Sequence, residues 1–388
     1  MSKSTLFCNV LLYNIFTPIL EPARQYGQTE RLKRIPEAIQ TLEHKPDVIV
    51  ICEVIPDKYI KILTSGLRKV GYIFYTKPIR SLLPASGGVM VFSKHKIIEQ
   101  KQFNFMDLCL GNDCFASKGI IYAKIEMYGR NVNVFGTHLQ AWTSEKAMLI
   151  REKQVSLIRT FIDSRNIPKH EPVILAGDLN IDLYSNRHHL DHIMNHYDFD
   201  IPIITEDSLP YTFDPINNIL VGSDEPERYT NLQYPNGCEK EYYDTLSCVC
   251  CTPEWLDYIL TSSTHLKPTK STMKIIMLKT KTPFNMNIKG DKVVQSSDLS
   301  DHFPLLAQLE FPHVDEKDIE AFKTVENTCK EPSSDFAVLM IVTMVLIPIF
   351  LIICLYTLYI IWKRNKLYNC YREKEWWNQE SSTDNNTL

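Results

Sequence analysis

The sequence lacks a strong charge of either sign. Its 388 residues carry a formal net charge of -4, and no dense Lys/Arg patch lies beside aromatic residues that could stack on bases. That balance argues against a polyanion-coating surface and a processive nucleic-acid enzyme, though not against a nuclease with a local basic cleft. There is no internal repeat and no long low-complexity tract, which excludes a solenoid. The cysteine cluster Cys238, Cys248, Cys250 and Cys251 is followed by no His pair, which disfavours a zinc site. No Asn-x-Ser/Thr acceptor precedes Asn385-Asn386-Thr387. The start, Met1-Ser2-Lys3-Ser4, runs into an apolar segment too short to be expected as a cleaved signal. Residues 336–362 lack any charge and are flanked by Asp335 and by Lys363-Arg364. A run this long and apolar all round is expected to cross a membrane as one helix rather than lie in a core.

What is present divides into four parts. Residues 1–311 read as one catalytic domain, 312–335 as a polar stalk with a short helix at 316–325, 336–362 as the transmembrane helix and 363–388 as a short tail. Within the domain, apolar β-like runs alternate with amphipathic segments. Strands are expected over 6–13, 47–54, 72–76, 87–93, 97–103, 119–127, 131–139, 172–177, 255–260 and 305–311. Helices are expected over 29–43, broken or restarted at Pro36, and over 57–69, 144–164 with a Ser cap, and 187–196. This order suits an α/β fold, a four-layer two-sheet sandwich. Residues 213–251 carry little periodicity and read as a long loop with a suspected role near the site. Eleven cysteines are present. Cys109 with Cys114, and the later cluster, suit disulfides in an oxidising compartment, whereas Cys8 and Cys52 sit in apolar runs as inert core thiols.

Five polar patches stand where apolar runs stop. They are Tyr13-Asn14, Cys52-Glu53, Gly136-Thr137-His138-Leu139-Gln140, Gly177-Asp178-Leu179-Asn180 and Ser300-Asp301-His302. Each has a plain alternative: a turn for Asn14 or Asp178-Leu179-Asn180, a core imidazole for His138, a helix cap for Asp301. A carboxylate such as Glu53 behind four aliphatic residues is costly to bury unless it is paired or binds an ion. Taken as an ordered set, the patches offer hard oxygen ligands and imidazoles to one cleft. A divalent ion and a phosphate need such a set.

The set resembles the endonuclease/exonuclease/phosphatase (DNase I-like) superfamily, and within it the neutral, magnesium-dependent sphingomyelinases. The family's ordered positions correspond here to Asn14, Glu53, His138, Asp178 with Asn180, Asp257 in Trp255-Leu256-Asp257-Tyr258, and Asp301 with His302. The narrower resemblance rests on residues 86–93, on Thr137-His138-Leu139-Gln140-Ala141, and on the loop 113–119, which carries Lys118. It implies a membrane-anchored phosphodiesterase hydrolysing sphingomyelin to ceramide and phosphocholine. Mg²⁺ would be held by Glu53, Asn14 and Asp301. His302 would be the base and Asp257 would hold it. Asp178 would orient water and Asn180 would bind a phosphoryl oxygen. His138 and Lys118 would neutralise charge, with Asp113 placing the lysine. The partner is a lipid substrate in a membrane, not nucleic acid. The rivals are a phosphoinositide phosphatase or nuclease of the same fold, and an inactive membrane-tethered binding protein.

Two further readings concern the membrane. Residues 279–286 form either a lipid-dipping hairpin with Phe284 and Met286 at its tip and Lys279 and Lys281 near head groups, or a polar turn with one tucked Phe. Lys363, Arg364 and Lys366 after the span place the tail in the cytosol and the catalytic domain outside or in a lumen. A tail-anchored cytosolic enzyme is the alternative.

Overall fold

The computed structural model describes residues 5–17, 26–80, 85–106, 108–222, 252–288, 292–315, 319–320 and 356–357. The chain divides into two units, Met1–Ile319 and Glu320–Leu388. Almost all of the second lies outside the described residues, as do most of the expected stalk and span and the whole tail. No helix among the described residues is long and apolar enough to cross a membrane.

The first strands are β1 (Leu6–Asn14), β2 (Val48–Cys52), β3 (Phe74–Tyr75), β4 (Ala85–Ser86), β5 (Met90–Ser93) and β6 (Lys96–Asn104). Next come β7 (Ala116–Ser117), β8 (Gly119–Met127), β9 (Arg130–His138), β10 (Val173–Asp178), β11 (Phe199–Asp200) and β12 (Ile203–Ile204). The last are β13 (Asp257–Ser262), β14 (Lys270–Ile275), β15 (Lys279–Ile288), β16 (Lys292–Asp298) and β17 (Leu305–Phe311). The helices are α1 (Gln28–Gln40), α2 (Asp57–Lys69), α3 (Glu145–Asp163), α4 (Arg187–His196) and α5 (Ile219–Gly222).

These form a seven-stranded sheet, β12-β14-β17-β1-β2-β5-β3, and a six-stranded sheet, β11-β13-β10-β9-β8-β6. The two-residue alternation of a strand decides the layers. Along β1, Cys8, Val10 and Leu12 enter the core between the sheets, while Leu11 and Tyr13 join Leu32, Ile35, Leu63 and Leu67 of α1 and α2 on the outer face. Along β9, Gly136 faces Val50 and Val89 of the other sheet, where a Cβ would sit 3.0 Å from each. Its neighbour Phe135 turns outward onto Phe161 of α3, with ring centroids 6.2 Å apart. The result is helix, sheet, sheet, helix: an α/β sandwich.

Two parallel pairs fix the end where chemistry can gather. β1 pairs with β2 and β9 with β10, and parallel neighbours need crossovers, which α1 and α3 supply. The carboxyl ends of all four strands therefore face one way. Ser144 caps α3 as expected, accepting from the Ala147 amide at 3.3 Å.

The structure differs from the sequence expectations in several places, among them the short strands β4, β7, β11 and β12 and the helix α5 inside the expected 213–251 loop. Pro36 does not break α1; Gly66 of α2 leaves room for its ring, since a Cβ there would meet Pro36 Cγ at 2.7 Å. β14 and the β15–β16 hairpin were not expected as strands. The lipid-dipping role for Phe284 and Met286 is overturned. They are only 5% and 2% exposed, because the hairpin folds back on α1. A Cβ at Gly27 would lie 2.7 Å from the Phe284 ring, and the Arg34 guanidinium sits 5.3 Å from that ring's centroid. Cys109 and Cys114 form a disulfide, while residues 223–251, with the other four-cysteine cluster, lie outside the described residues.

Candidate active site

Register places the first three functional residues. Asp178 ends β10 between two neighbours, opposite His138 of β9 and Asp257 of β13. The close strand approach leaves no space for a side chain at Gly177, where a Cβ would lie 2.3 Å from the Thr137 carbonyl oxygen. From the other sheet, Asn14 ends β1 beside Cys52 of β2. The chain then turns sharply at Glu53, which takes a left-handed φ of 62°. Gly88, itself at φ 69°, permits that turn; a Cβ there would stand 2.9 Å from Glu53 Cα.

Asn14 joins the two sheets. Its Nδ2 donates to Glu53 Oε1 at 2.9 Å and to Asp178 Oδ2 at 3.0 Å, while its Oδ1 accepts from the Phe16 amide at 3.2 Å. Glu53, His138 and Asp178 offer ligand atoms within 4.8 Å of one another, and so do Asp178, Asp257 and His302. His302 Nδ1 meets Asp257 Oδ2 at 2.7 Å, which leaves Nε2 to face the cleft, 4.0 Å from Asp178 Oδ2. Asp301 is tied back by Ser300, whose hydroxyl contacts Asp301 Oδ1 at 3.1 Å and donates to the Asn14 carbonyl at 2.7 Å. It lies close enough to Glu53 to raise its own pKa, but it is not within either ligand cluster.

On the far side, Lys118 Nζ donates to Asp113 Oδ2 at 2.8 Å and to the Leu139 carbonyl at 2.7 Å, and lies 3.2 Å from His138 Nε2. Asp113 also accepts from the Ala141 amide at 2.7 Å, so one carboxylate holds both the lysine and the loop after β9. Asn180, at φ 52°, donates its backbone N–H to Asp178 Oδ1 at 2.9 Å and its Nδ2 to the Leu139 carbonyl at 3.1 Å. Every residue singled out from the sequence thus lies at one end of the sandwich.

The electrostatics ask for a cation. Burial raises the Glu53 carboxyl above its ordinary range. Burial and the Asp257 charge push Asp178 up to about 6; burial, with Glu53 near, pushes Asp301 to about 6. Burial opposes charging His302, but Asp257, Asp301 and Asp178 outweigh it and hold its pKa well above the ordinary value. His138 moves the opposite way: burial, then the Lys118 charge, hold it neutral. Asp257 Oδ1 is buried with no hydrogen-bond partner. Hard, crowded carboxylate oxygens that resist ionisation alone are the donor set a divalent cation stabilises. Glu53 and Asp178 fit such an ion best, and Asn14, through Nδ2, orients both.

Several residues at the site gave no sequence signal. Arg31 of α1 is fully buried without a carboxylate contact; its guanidinium donates to the carbonyls of Tyr26, Ile15, Leu299 and Phe16 at 2.6–3.0 Å. It ties the turn after β1 to the segment before Ser300. Arg151 of α3 likewise donates to the Gln140 and Trp142 carbonyls at 2.9 and 2.6 Å. A buried Arg on an amphipathic helix reads locally as a solvated face, so neither was foreseeable. Phe213 and Glu254 also reach the site, beside His302. The only hint was that Phe213 opens the aperiodic stretch.

Known proteins with similar sequences and folds bear on this geometry. Sphingomyelinase C of Leptospira interrogans is 30% identical over 315 residues, covering 76% of this chain and 50% of that protein. Phospholipase C of Staphylococcus aureus is 32% identical over 231 residues, covering 58% of this chain and 61% of that protein. The chain thus spans about half the length of the Leptospira proteins it matches. Among solved structures, Sphingomyelinase C from Streptomyces griseocarneus superposes with a TM-score of 0.64 at 26% identity, covering 78% of this chain and 99% of that one. Beta toxin from Staphylococcus aureus, solved with bound magnesium ions, gives a TM-score of 0.64 at 25% identity, covering 77% and 98%. A family model described as Endonuclease/Exonuclease/phosphatase family 2 matches residues 28–308, from α1 through the His302 segment. The chain belongs to the endonuclease/exonuclease/phosphatase family.

Proposed function

We propose that the protein is a phosphodiesterase that hydrolyses sphingomyelin to ceramide and phosphocholine, with Mg²⁺ as its cation. The observation that carries this reading is the row His138–Asp178–Asp257 facing Asn14 and Glu53, with His302 bonded to Asp257. The sphingomyelinase relatives support the substrate, and the magnesium-bound neighbour supports the ion.

Glu53 and Asp178 would hold a divalent cation, which when bound would supply Lewis acidity to a phosphoryl oxygen and charge to offset the departing alkoxide. The chain's own residues do the rest. The carboxylate charge that favours the imidazolium form of His302 would be offset by a bound cation; Asp257 then keeps one proton on Nδ1, and the freed Nε2 accepts a proton from water. The water oxygen bonds to phosphorus as the bond to the ceramide oxygen breaks; the alkoxide takes a proton from solvent. Asp178 orients the water, and Asn180 donates to a phosphoryl oxygen. Lys118, held by Asp113, and His138, kept neutral by burial, donate to the equatorial oxygens as their charge grows. Asp301, held by Ser300, adds a further acidic group near Glu53.

The membrane placement belongs to the same proposal. Residues 336–362 anchor the chain, with the tail cytosolic and the catalytic unit outside or lumenal. The flanking Lys363 and Arg364 support this, as does the Cys109–Cys114 disulfide. Protease should digest the catalytic unit on intact cells if it is outside, and leave it protected in sealed microsomes if it is lumenal. A unit protected on intact cells but digested from the cytosolic face of microsomes would reverse the orientation.

Turnover tests the function directly. The full chain in mixed micelles should release phosphocholine from sphingomyelin with Mg²⁺ and lose this with excess EDTA. His302→Ala should cost about 10²-fold or more in kcat, the size of a lost general base. Equal rates with Mg²⁺ and EDTA, or preferential cleavage of plasmid DNA or a phosphoinositide, would defeat the reading.

Stability should report the ion independently. Asp178 and Asp301 rise from 3.8 to about 6 in the folded chain. Without a cation, the folded state binds more of their protons between those values than the unfolded state. Their contribution to stability therefore falls as pH rises through that window. Mg²⁺ should relieve this strain only where the carboxyls are ionised, so it should raise Tm more at pH 7 than at pH 5. A shift of the same size at both pH values would argue against cation binding at these carboxylates.

A further inference from the structure

Beside the catalytic histidine runs a short ladder that the hydrolytic mechanism does not use. Phe213 bridges antiparallel to His302 on one side and to Glu254 on the other. With Glu254 the exchange is complete: the Phe213 amide donates to the Glu254 carbonyl at 2.9 Å, and the Glu254 amide donates to the Phe213 carbonyl at 2.8 Å. Residues directly opposed in antiparallel pairs project to the same face, with Cβ atoms about 4.5–5.5 Å apart. The side chains of His302, Phe213 and Glu254 therefore stand in one row, with Phe213 in the middle. Its ring centroid lies 5.5 Å from that of His302, and the residue is half-buried.

Glu254 is unusual for an acid in this place. Among the described residues no Lys, Arg or His forms an ion pair with its carboxylate, and no side chain hydrogen-bonds to it. Burial, then Asp182, pushes its pKa up to about 7, and it feels the charge of His302. A half-buried carboxylate that no cationic side chain among the described residues contacts directly, with only the more distant charges of His302 and Arg151 to offset it, next to an aromatic residue, is complementary to a cation that is poorly hydrated.

We propose that Phe213 and Glu254 form a head-group subsite that takes the quaternary ammonium of a phosphocholine ester while His302 faces its phosphorus. The proposal rests on the phosphodiesterase reading above and names what that site selects. The spacing suits it. Phosphorus and nitrogen in phosphocholine are separated by an oxygen and two carbons, on the order of one ladder step of about 5 Å. With the phosphoryl group against His302, the trimethylammonium reaches the Phe213 ring, and Glu254 lies one step beyond. The cation–π face supplies selectivity for a methylated cation over a hydrated primary amine, and the carboxylate supplies charge. Neither residue touches the bonds that form or break, so the subsite should act through binding.

Calorimetric binding of phosphocholine and of ethyl phosphate, both with Mg²⁺ present, tests this without any turnover. The unaltered chain should bind phosphocholine at least about tenfold more tightly than ethyl phosphate, the scale of a partly desolvated cation–π contact with an added charge. Glu254→Gln, which keeps shape, and Phe213→Leu should each remove most of that preference and leave ethyl phosphate affinity unchanged, which also shows that the variants are folded. An unaltered chain that binds both ligands equally would overturn the subsite. So would variants that weaken both ligands alike. Sphingomyelin turnover separates the two ideas: a chain that prefers phosphocholine but leaves sphingomyelin intact keeps the subsite and loses the proposed reaction.

Discussion

The site depends on a single amide. Asn14 is the last residue of a strand in one sheet, and its Nδ2 donates to a carboxylate from each sheet. Glu53 belongs to its own sheet and Asp178 to the facing one. Without that donor, two buried acids would face each other across the sandwich with only repulsion between them. Several kcal/mol of desolvation attend each buried ion unless it is paired. The amide supplies one hydrogen to each and leaves the remaining lone pairs turned toward a shared space. Both carboxyls stay raised above their ordinary range by burial despite the amide, which is the imbalance a bound cation would offset.

The fold brings the groups to that space by register rather than by loop contacts. Parallel pairing sets Asn14 beside Cys52 and His138 beside Asp178, and antiparallel pairing sets Asp257 on the other flank. Such positions cannot slip by one residue without turning the whole core face to solvent. The less regular parts are held by buried donors. Arg31 spends its guanidinium on backbone carbonyls and thereby couples the turn after β1 to the segment carrying Ser300, Asp301 and His302. Asp113 couples Lys118 to the loop after His138. Opposed electrostatics then separate the two histidines. Burial, with the Lys118 charge beside it, keeps His138 neutral, while three carboxylates outweigh burial and favour the proton on His302.

Much of this was legible because it is local. A polar residue shortly after an aliphatic run marks a strand end, and Asn14, Glu53, His138 and Asp178 all carry that mark; His302 was legible only through the family resemblance of Ser300-Asp301-His302. What was not legible is tertiary. Phe284 and Met286 alternate with polar residues like a hairpin tip that dips into lipid, yet the hairpin folds onto α1, and nothing in the local pattern records that. Pro36 reads as a helix break, but its tolerance depends on Gly66 thirty residues away in another helix. Arg31 and Arg151 look like solvated cations because burying Arg requires carbonyl partners that sequence spacing does not reveal. Phe213 and Glu254 lie far apart in the chain and carry no shared motif; only strand pairing places them in line with His302.

The central claim is that the Asn14-bridged carboxylates form one cation site shared by the two sheets. Manganese is a suitable surrogate, since it accepts the same oxygen ligands and scatters anomalously. The direct measurement is an anomalous difference map from crystals of the catalytic unit grown with Mn²⁺. The expected result is a peak in contact with Glu53, on the side where Asn14 joins it to Asp178, and loss of that peak in Glu53→Gln. A peak bound elsewhere with the Glu53–Asp178 space empty, or a peak at Glu53 that persists in Glu53→Gln, would contradict it.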